Sequence, residues 1–270
     1  MNRNNGYAQG PNKAYEDSSI PVTIQFHGWL VQLVRRCKRH SESIIPALAQ
    51  GTSVKNLIES FGVPHTEVAA IEVNRQLVTF DHIIVEESTV EIFPLCPPVD
   101  VHTPTLLRPV ALPAIRFLVD VNVGKLARKL RMTGFDTLFN MDWCDTDLAK
   151  VSEQEQCILV TRDIMLLKRK NVIFGHFVRE TMPVKQLAEL IHFYGLSDKI
   201  NPFSRCIRCN GLLKSIDKEE IQDLLEPLTR KYYETFHRCN SCSHLYWAGS
   251  HRNAMQKNLA EMHKYHPLSY

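Results

Sequence analysis

Between Ile115 and Lys170 the chain alternates short β-rich apolar runs with segments of helical spacing. Few folds accept that alternation. Ile115–Val119, Thr137–Phe139 and Cys157–Val160 each read as a buried strand. Val123, Leu126 and Leu130 then form one helical stripe, and Leu148 with Val151 begins another. A last step follows in NVIFGHFV, with Pro183 opening a helix through Val184, Leu187, Leu190 and Ile191. Such alternation predicts an α/β domain with a parallel sheet and right-handed crossovers. The acids fall in register with it. Asp120 ends the first strand, Asp142, Asp145 and Asp147 follow the second, and Asp163 follows the third. Strands of an open parallel sheet end on one edge, where ligands bind, so at least three carboxylates share one rim.

Clustered carboxylates repel one another unless a cation neutralises them, and hard oxygen ligands suit Mg²⁺ or Mn²⁺. Two such ions, about 3.5–4 Å apart, activate water and stabilise the leaving oxygen of a phosphodiester. Cationic side chains flank the same rim: Lys125, Arg128, Lys129 and Arg131 on the first helix, Arg162 before the third acid, and Lys168, Arg169 and Lys170 beyond it. They suit phosphates, with affinity that falls with salt. A competing reading exists for each. Asp145 and Asp163 stand where helix N-caps belong, and the basic helix residues equally suit a solvated face. Asp120 resists a capping role, because the helix starts only near Gly124.

Upstream, residues 1–19 are polar and aperiodic and read as a disordered tail. Val22, Ile24 and Phe26 alternate as a strand, with a turn at Gly28 and a second strand through Leu30 and Val34. Arg35, Arg36, Lys38, Arg39 and His40 form a basic segment, either a solvated hairpin tip or an RNA or partner contact. Thr52 or Ser53 caps a helix through Val54, Leu57, Ile58 and Phe61 that stops at Gly62, and IEVNRQLV and TVEIFP follow as strands. This is an α+β module. Pro94, Pro97, Pro98, Pro104, Pro109 and Pro113 then mark a semi-rigid linker without elements. The expected organisation is a tail at 1–19, an α+β domain at 20–95, a linker at 96–113, an α/β domain at 114–197, a cysteine module at 198–252 and a terminal helix or tail at 253–270, with helical spacing over Asn253–Lys264.

The eight cysteines divide unevenly. Cys206, Cys209, Cys239 and Cys242 form two C-x-x-C pairs that predict a closed tetrahedral Zn²⁺ site, structural because no coordination position is left for substrate. The 29 residues between the pairs imply a helical insertion near Lys218–Leu225. His237 and His244 are surplus to the ligand set. Arg205, Arg208, Lys214, Arg238, Tyr246 and Trp247 suit either stacking on single-stranded bases or the core of the ribbon. Cys37, Cys96, Cys144 and Cys157 are isolated, and Cys144 is assigned no role. The cysteine pattern is not a secreted disulfide framework, and no apolar run approaches the roughly 20 residues of a membrane helix. The expectation is a cytoplasmic protein without membrane contact. A net charge of +3 adds little.

FLVDVNVGKLARKLRMTGFDTLF with ILVTRD downstream resembles the Mut-seven C-terminal family of PIN-like RNase domains. In that family such blocks precede a zinc ribbon and often follow a ubiquitin-like module, and Tyr246–Arg252 is similar to its YWxGSH ending. Residues Thr52 to Pro94 resemble β-grasp, ubiquitin-like sulfur carriers, but Phe93-Pro94 continues into the chain where those carriers end in a free Gly-Gly. The resemblance thus implies a docking or substrate-positioning module that takes a protein partner, a PIN-like domain and a ribbon. It implies a metal-dependent ribonuclease acting on single-stranded RNA. Asp120, Asp145 and Asp163 occupy the positions of its metal-binding acids, and Lys125, Arg128 and Arg131 match its basic helix. Asp142 or Asp147 can replace Asp145 in that set. The alternative is a non-catalytic RNA-binding or adaptor protein with a vestigial rim.

Overall fold

The computed structural model describes residues 19–34, 43–49 and 51–247. The polar tail before Ser19, the basic segment Arg35–His40, the end of the YWAGSH run and the helix expected over Asn253–Lys264 lie outside the described residues.

The first module forms from β1 (Ser19–Phe26), α1 (Leu30–Leu33), β2 (Ser43–Ala49), β3 (Thr52–Ser53), α2 (Val54–Ser60), β4 (Val68–Val73), β5 (Gln76–Leu77), β6 (Ile83–Ile84) and β7 (Ser88–Pro94). Its main sheet has the order β2-β1-β7-β4-β5, with β1 parallel to β7 and the other pairs antiparallel. Val22, Ile24, Ile71 and Ile92 from the sheet bury against Leu57 and Ile58 of α2. Each such side chain is worth about 1.5–3 kcal/mol of burial. Ser53 caps α2 by accepting from the Asn56 amide, and Gly62 ends it with φ +105°. The strand expected at Leu30–Val34 is instead the short helix α1. Leu30 and Val34 are buried while Val31 and Gln32 are exposed; a strand that buried Leu30 and Val34 would put Gln32 on the same buried face, whereas a helix turns it away.

The second module comprises β8 (Arg116–Val119), α3 (Gly124–Met132), β9 (Asp136–Leu138), α4 (Asp145–Gln154), β10 (Ile158–Thr161), α5 (Ile164–Leu167), β11 (Gly175–Phe177) and α6 (Pro183–Phe193). The sheet order is β11-β10-β8-β9 and every pairing is parallel. Alternate residues serve opposite layers. Phe117, Val119, Ile158 and Val160 join Leu126, Leu130, Leu187 and Leu190 of α3 and α6, while Leu118 and Leu159 join Leu148 and Leu166 of α4 and α5. Apolar residues on both faces explain why these strands read as unbroken hydrophobic runs.

The third module holds β12 (Leu213–Ile216), α7 (Lys218–Ile221), α8 (Pro227–Tyr232), β13 (Phe236–Cys239) and β14 (Leu245–Trp247), with the antiparallel order β12-β13-β14. The two short helices fill the expected insertion. No helix among the described residues is long and apolar enough to cross a membrane.

The proline-rich stretch at 96–113 holds no helix or strand, yet it is not a free spacer. Val101, Leu107 and Leu112 are buried in the same apolar cluster as the first two modules. Arg108, 8% exposed, donates to the carbonyls of His65, Thr66 and Val68. Those carbonyls lie in the turn into β4 and the start of that strand, and the guanidinium supplies donors to a buried stretch.

Candidate active site

β8 delivers Asp120 to the carboxyl edge of the sheet, where its amide extends the ladder to the Val160 carbonyl of β10. The carboxylate is 6% exposed. Its Oδ2 accepts from Thr161 Oγ1 at 2.6 Å and Asn122 Nδ2 at 2.5 Å. Thr161 Oγ1 also accepts from the Asp163 amide at 2.9 Å and from Asn122 Nδ2 at 3.1 Å. Asn122 Oδ1 takes the Arg162 amide at 3.2 Å. One threonine hydroxyl and one asparagine amide therefore lock the ends of β8 and β10 together and fix the Asp120 rotamer. Sequence reasoning passed over both residues, although Thr161 stands inside the TRD motif and Asn122 inside DVNV.

Asp163 lies on the same edge and performs a second task. Its Oδ1 accepts the amides of Met165 and Leu166 and caps α5. Asp145 opens α4 and sits 3.5 Å from Arg169 Nη2, while Arg169 Nη1 reaches Thr146 Oγ1 at 3.4 Å. Asp147 accepts from the Cys144 amide and thiol, and these bonds hold its carboxyl below the usual carboxylate range. Asp142 is exposed on the preceding turn. The topology brings Asp120, Asp145 and Asp163 to one edge. It does not bring their oxygens into a cluster, because among the described residues the only trio or larger set of metal-type ligands within 4.8 Å of one another is the four cysteines.

The cations divide by burial. Lys125, Arg128, Arg162 and Lys170 are exposed. Arg162 Nη1 donates to the Glu180 carbonyl at 2.7 Å, across to the loop after β11. Arg131, expected among the phosphate binders, is 6% exposed. Its Nε donates to the Thr137 carbonyl, and its Nη1 donates to the carbonyls of Ile207 and Arg208 in the first cysteine knuckle. Arg131 stands in the last turn of α3, where the first knuckle packs over it, so it joins two modules instead of facing solvent. Lys168 likewise leaves the rim, with Nζ bonded to the Glu59 carbonyl of α2.

Cys206, Cys209, Cys239 and Cys242 offer four sulfurs, with Cys206 and Cys242 3.6 Å apart and Cys209 and Cys239 3.4 Å apart. Zinc–sulfur bonds of about 2.3 Å in a tetrahedron put sulfurs about 3.8 Å apart, so the set fits that ion. The amides of Ser241 and Cys242 face the Cys239 sulfur. Tyr246, 4% exposed, accepts the Ile207 amide and lies 3.0 Å from the Cys206 sulfur. Burial pushes the Cys206 thiol up, and hydrogen bonds from Tyr246 and the knuckle outweigh it, bringing it down to about 6. Burial and bonds among the sulfurs push Cys209 up to about 12, so the full set of thiolates calls for a cation. Tyr246 and half-buried Trp247 are core residues of the ribbon, and Arg205 pairs with Asp136. The two aromatics thus take the ribbon-core alternative, while Arg208, Lys214 and Arg238 of the same set are exposed.

The Mut7-C RNAse domain family model matches residues 115–259, more than half of the chain, and the Mut7-C ubiquitin model matches residues 20–100. No curated protein and no solved structure matches it.

Proposed function

The chain belongs to the Mut7-C RNAse domain family, and on that premise we propose that it hydrolyses RNA phosphodiesters with divalent cations at the Asp120 rim. One observation carries the reading. Asp120 is a buried carboxylate whose partners, Thr161 and Asn122, are both neutral. The other deeply buried carboxylates, Glu67 and Glu189, lie beside the Arg179 guanidinium. A buried charge without a counter-ion is costly, and a divalent cation at the sheet edge would supply it.

Asp120, Asp145 and Asp163 would hold Mg²⁺ or Mn²⁺, which supplies a water of lowered pKa and positive charge at the leaving oxygen. Asp120 is pre-set by Thr161 and Asn122, while the Oδ1 bonds that cap α5 fix the Asp163 side chain. Asp145 would exchange its Arg169 partner for the cation, which frees that guanidinium for phosphate. Lys125, Arg128 and Arg162 would steady the RNA backbone by charge alone. The four cysteines would hold Zn²⁺ as a folding centre. The ubiquitin-like module would be the docking point for a protein partner.

The non-catalytic reading draws on the same rim, since Asp145 is paired with Arg169 and Asp163 caps a helix. Labelled RNAs incubated with Mn²⁺ or EDTA separate the two. Cleavage by the wild-type protein in Mn²⁺ should fall about a thousandfold or more in Asp120→Asn, the equivalent of several kcal/mol of lost transition-state stabilisation. RNA binding should persist. Equal cleavage by the variant removes Asp120 from the mechanism, and RNA binding without cleavage at any divalent concentration favours the adaptor.

A further inference from the structure

Residues 178–182 lead from β11 to α6 at the carboxyl edge of the sheet, next to the end of β10. The Val178 amide continues the ladder to the Thr161 carbonyl. Two carboxylates hold the backbone around it. Glu189 of α6 accepts the amides of Arg179 and Glu180 at 3.0 Å each. Glu67 comes from the ubiquitin-like module, in the turn before β4. Its Oε1 accepts the Phe177 amide at 2.8 Å, and its Oε2 accepts from Arg179 Nη2 at 2.7 Å. Arg179 Nη1 returns to the Phe177 carbonyl at 3.0 Å, and the guanidinium lies 4.2 Å over the Trp29 ring. Glu67 is fully buried, and both its oxygens serve the neighbouring module. Beside apolar packing of similar volume, a buried ion pair is a weak source of stability. What this one supplies is a fixed direction for the loop.

The loop passes that direction to the acids. Its carbonyls at Arg179 and Glu180 accept from Arg162 Nη1 at 3.4 and 2.7 Å. Gln186 Nε2 donates to the same Glu180 carbonyl at 3.0 Å. The Arg162 amide donates to Asn122 Oδ1 at 3.2 Å, and Asn122 Nδ2 donates to Asp120 Oδ2 at 2.5 Å. The next amide, that of Asp163, donates to Thr161 Oγ1 at 2.9 Å, and this hydroxyl donates to Asp120 at 2.6 Å. Hydrogen bonds and short backbone thus run without a break from a side chain of the first module to the carboxylate at the centre of the rim.

We infer that Glu67 is a positioning residue for the Asp120 rim: through Arg179, the 178–182 loop and Arg162 it sets the Arg162–Asp163 turn against Asn122. The ubiquitin-like module is then a contributor to the site as well as a docking point. This rests on the ribonuclease reading and gives that site a determinant outside its own domain. A displacement of about 1 Å in such a support costs a reactive constellation far more than it costs the fold.

The test compares Glu67→Gln with wild type in the full chain, loaded with Zn²⁺ at the four cysteines. Glutamine keeps an acceptor for the Phe177 amide and removes the charge that holds Arg179. Without added Mn²⁺, hydrogen exchange at the Arg162 and Asp163 amides should quicken about threefold to thirtyfold, while the Leu159 amide of β10 is unaffected. Mn²⁺ affinity, measured by calorimetry without RNA, should fall about threefold to thirtyfold. Leu57→Ala opens a cavity in the core of the same module; it should lower the thermal midpoint comparably and move neither reading. If Glu67→Gln does not fold, Arg179→Lys keeps the charge, loses the planar fork and carries the same expectations. Unchanged exchange and Mn²⁺ affinity in the folded variant overturn the positioning role and leave the ribonuclease standing. Equal losses in Leu57→Ala mean that module stability alone governs the rim, which overturns the role as well. A wild-type Mn²⁺ titration that Asp120→Asn does not alter overturns both.

Discussion

Among single residues, burial separates charges that the chain places on one helix. Lys125 and Arg128 of α3 face solvent, whereas Arg131 is buried and spends its donors on three backbone carbonyls. Arg131→Ala should therefore lower stability by about 1–3 kcal/mol, the cost of stranded buried acceptors, as read from the thermal midpoint. Arg131→Lys should not restore it, because an ammonium lacks the planar fork that reaches both modules. Arg128→Ala should behave oppositely, leaving the midpoint unchanged and reducing the salt slope of RNA binding by about one. An Arg131→Ala protein of wild-type stability but weakened RNA binding would return that residue to the substrate.

At the scale of elements, the short edge strand β9 depends on the cysteine module. Asn210, just past the first knuckle, accepts the Thr137 amide through Oδ1 and donates through Nδ2 to Asp136. Arg205 and Arg116 pair with the same Asp136 carboxylate. A free sheet edge invites foreign strands, and here a knuckle covers it. In protein loaded with Zn²⁺ at the four cysteines, chelation should thus remove hydrogen-exchange protection from the Thr137 amide. Amides of central β10 should stay protected. Unchanged protection at Thr137 after complete metal removal would show that the knuckle holds its shape through its hydrogen bonds alone.

Across the whole molecule, the ubiquitin-like module covers the opposite edge. Glu67, fully buried, accepts the Phe177 amide of β11 and pairs with Arg179 at 2.7 Å. Arg179 lies 4.2 Å over the Trp29 ring and 3.7 Å from Glu189. His65 Nε2 is 2.8 Å from the Val172 carbonyl. The two flanking modules thus cover both edges of the central parallel sheet, and the first packs as a structural part of the same body. Burial alone would raise the Glu189 carboxyl, but bonds from His176 and the amides of Arg179 and Glu180 outweigh it and hold it below the usual range. The folded state therefore binds fewer protons at that site than the unfolded chain. Its contribution is fully present above about pH 4.3 and is lost as pH falls through the folded-state value. The thermal midpoint should accordingly fall more steeply below about pH 5 in wild type than in Glu189→Gln, with the two converging in acid. Parallel curves would mean that another group governs acid unfolding.

Local periodicity and motif spacing determined the order of the modules, the parallel sheet, the shared edge for Asp120 and Asp163, and the cysteine set. Each follows from contacts or alternations within a few residues, which any fold of this chain must respect. What the proline-rich stretch would do, which arginine would face substrate, and how the Thr161 and Asn122 side chains would orient Asp120 were decided only in three dimensions. Arg108 finds its carbonyls some forty residues away, Arg131 finds Ile207 and Arg208 more than seventy away, and Thr161 meets Asp120 across two strands. A polar side chain takes whichever partner the completed packing leaves unsatisfied beside it, and no stretch of sequence contains that information.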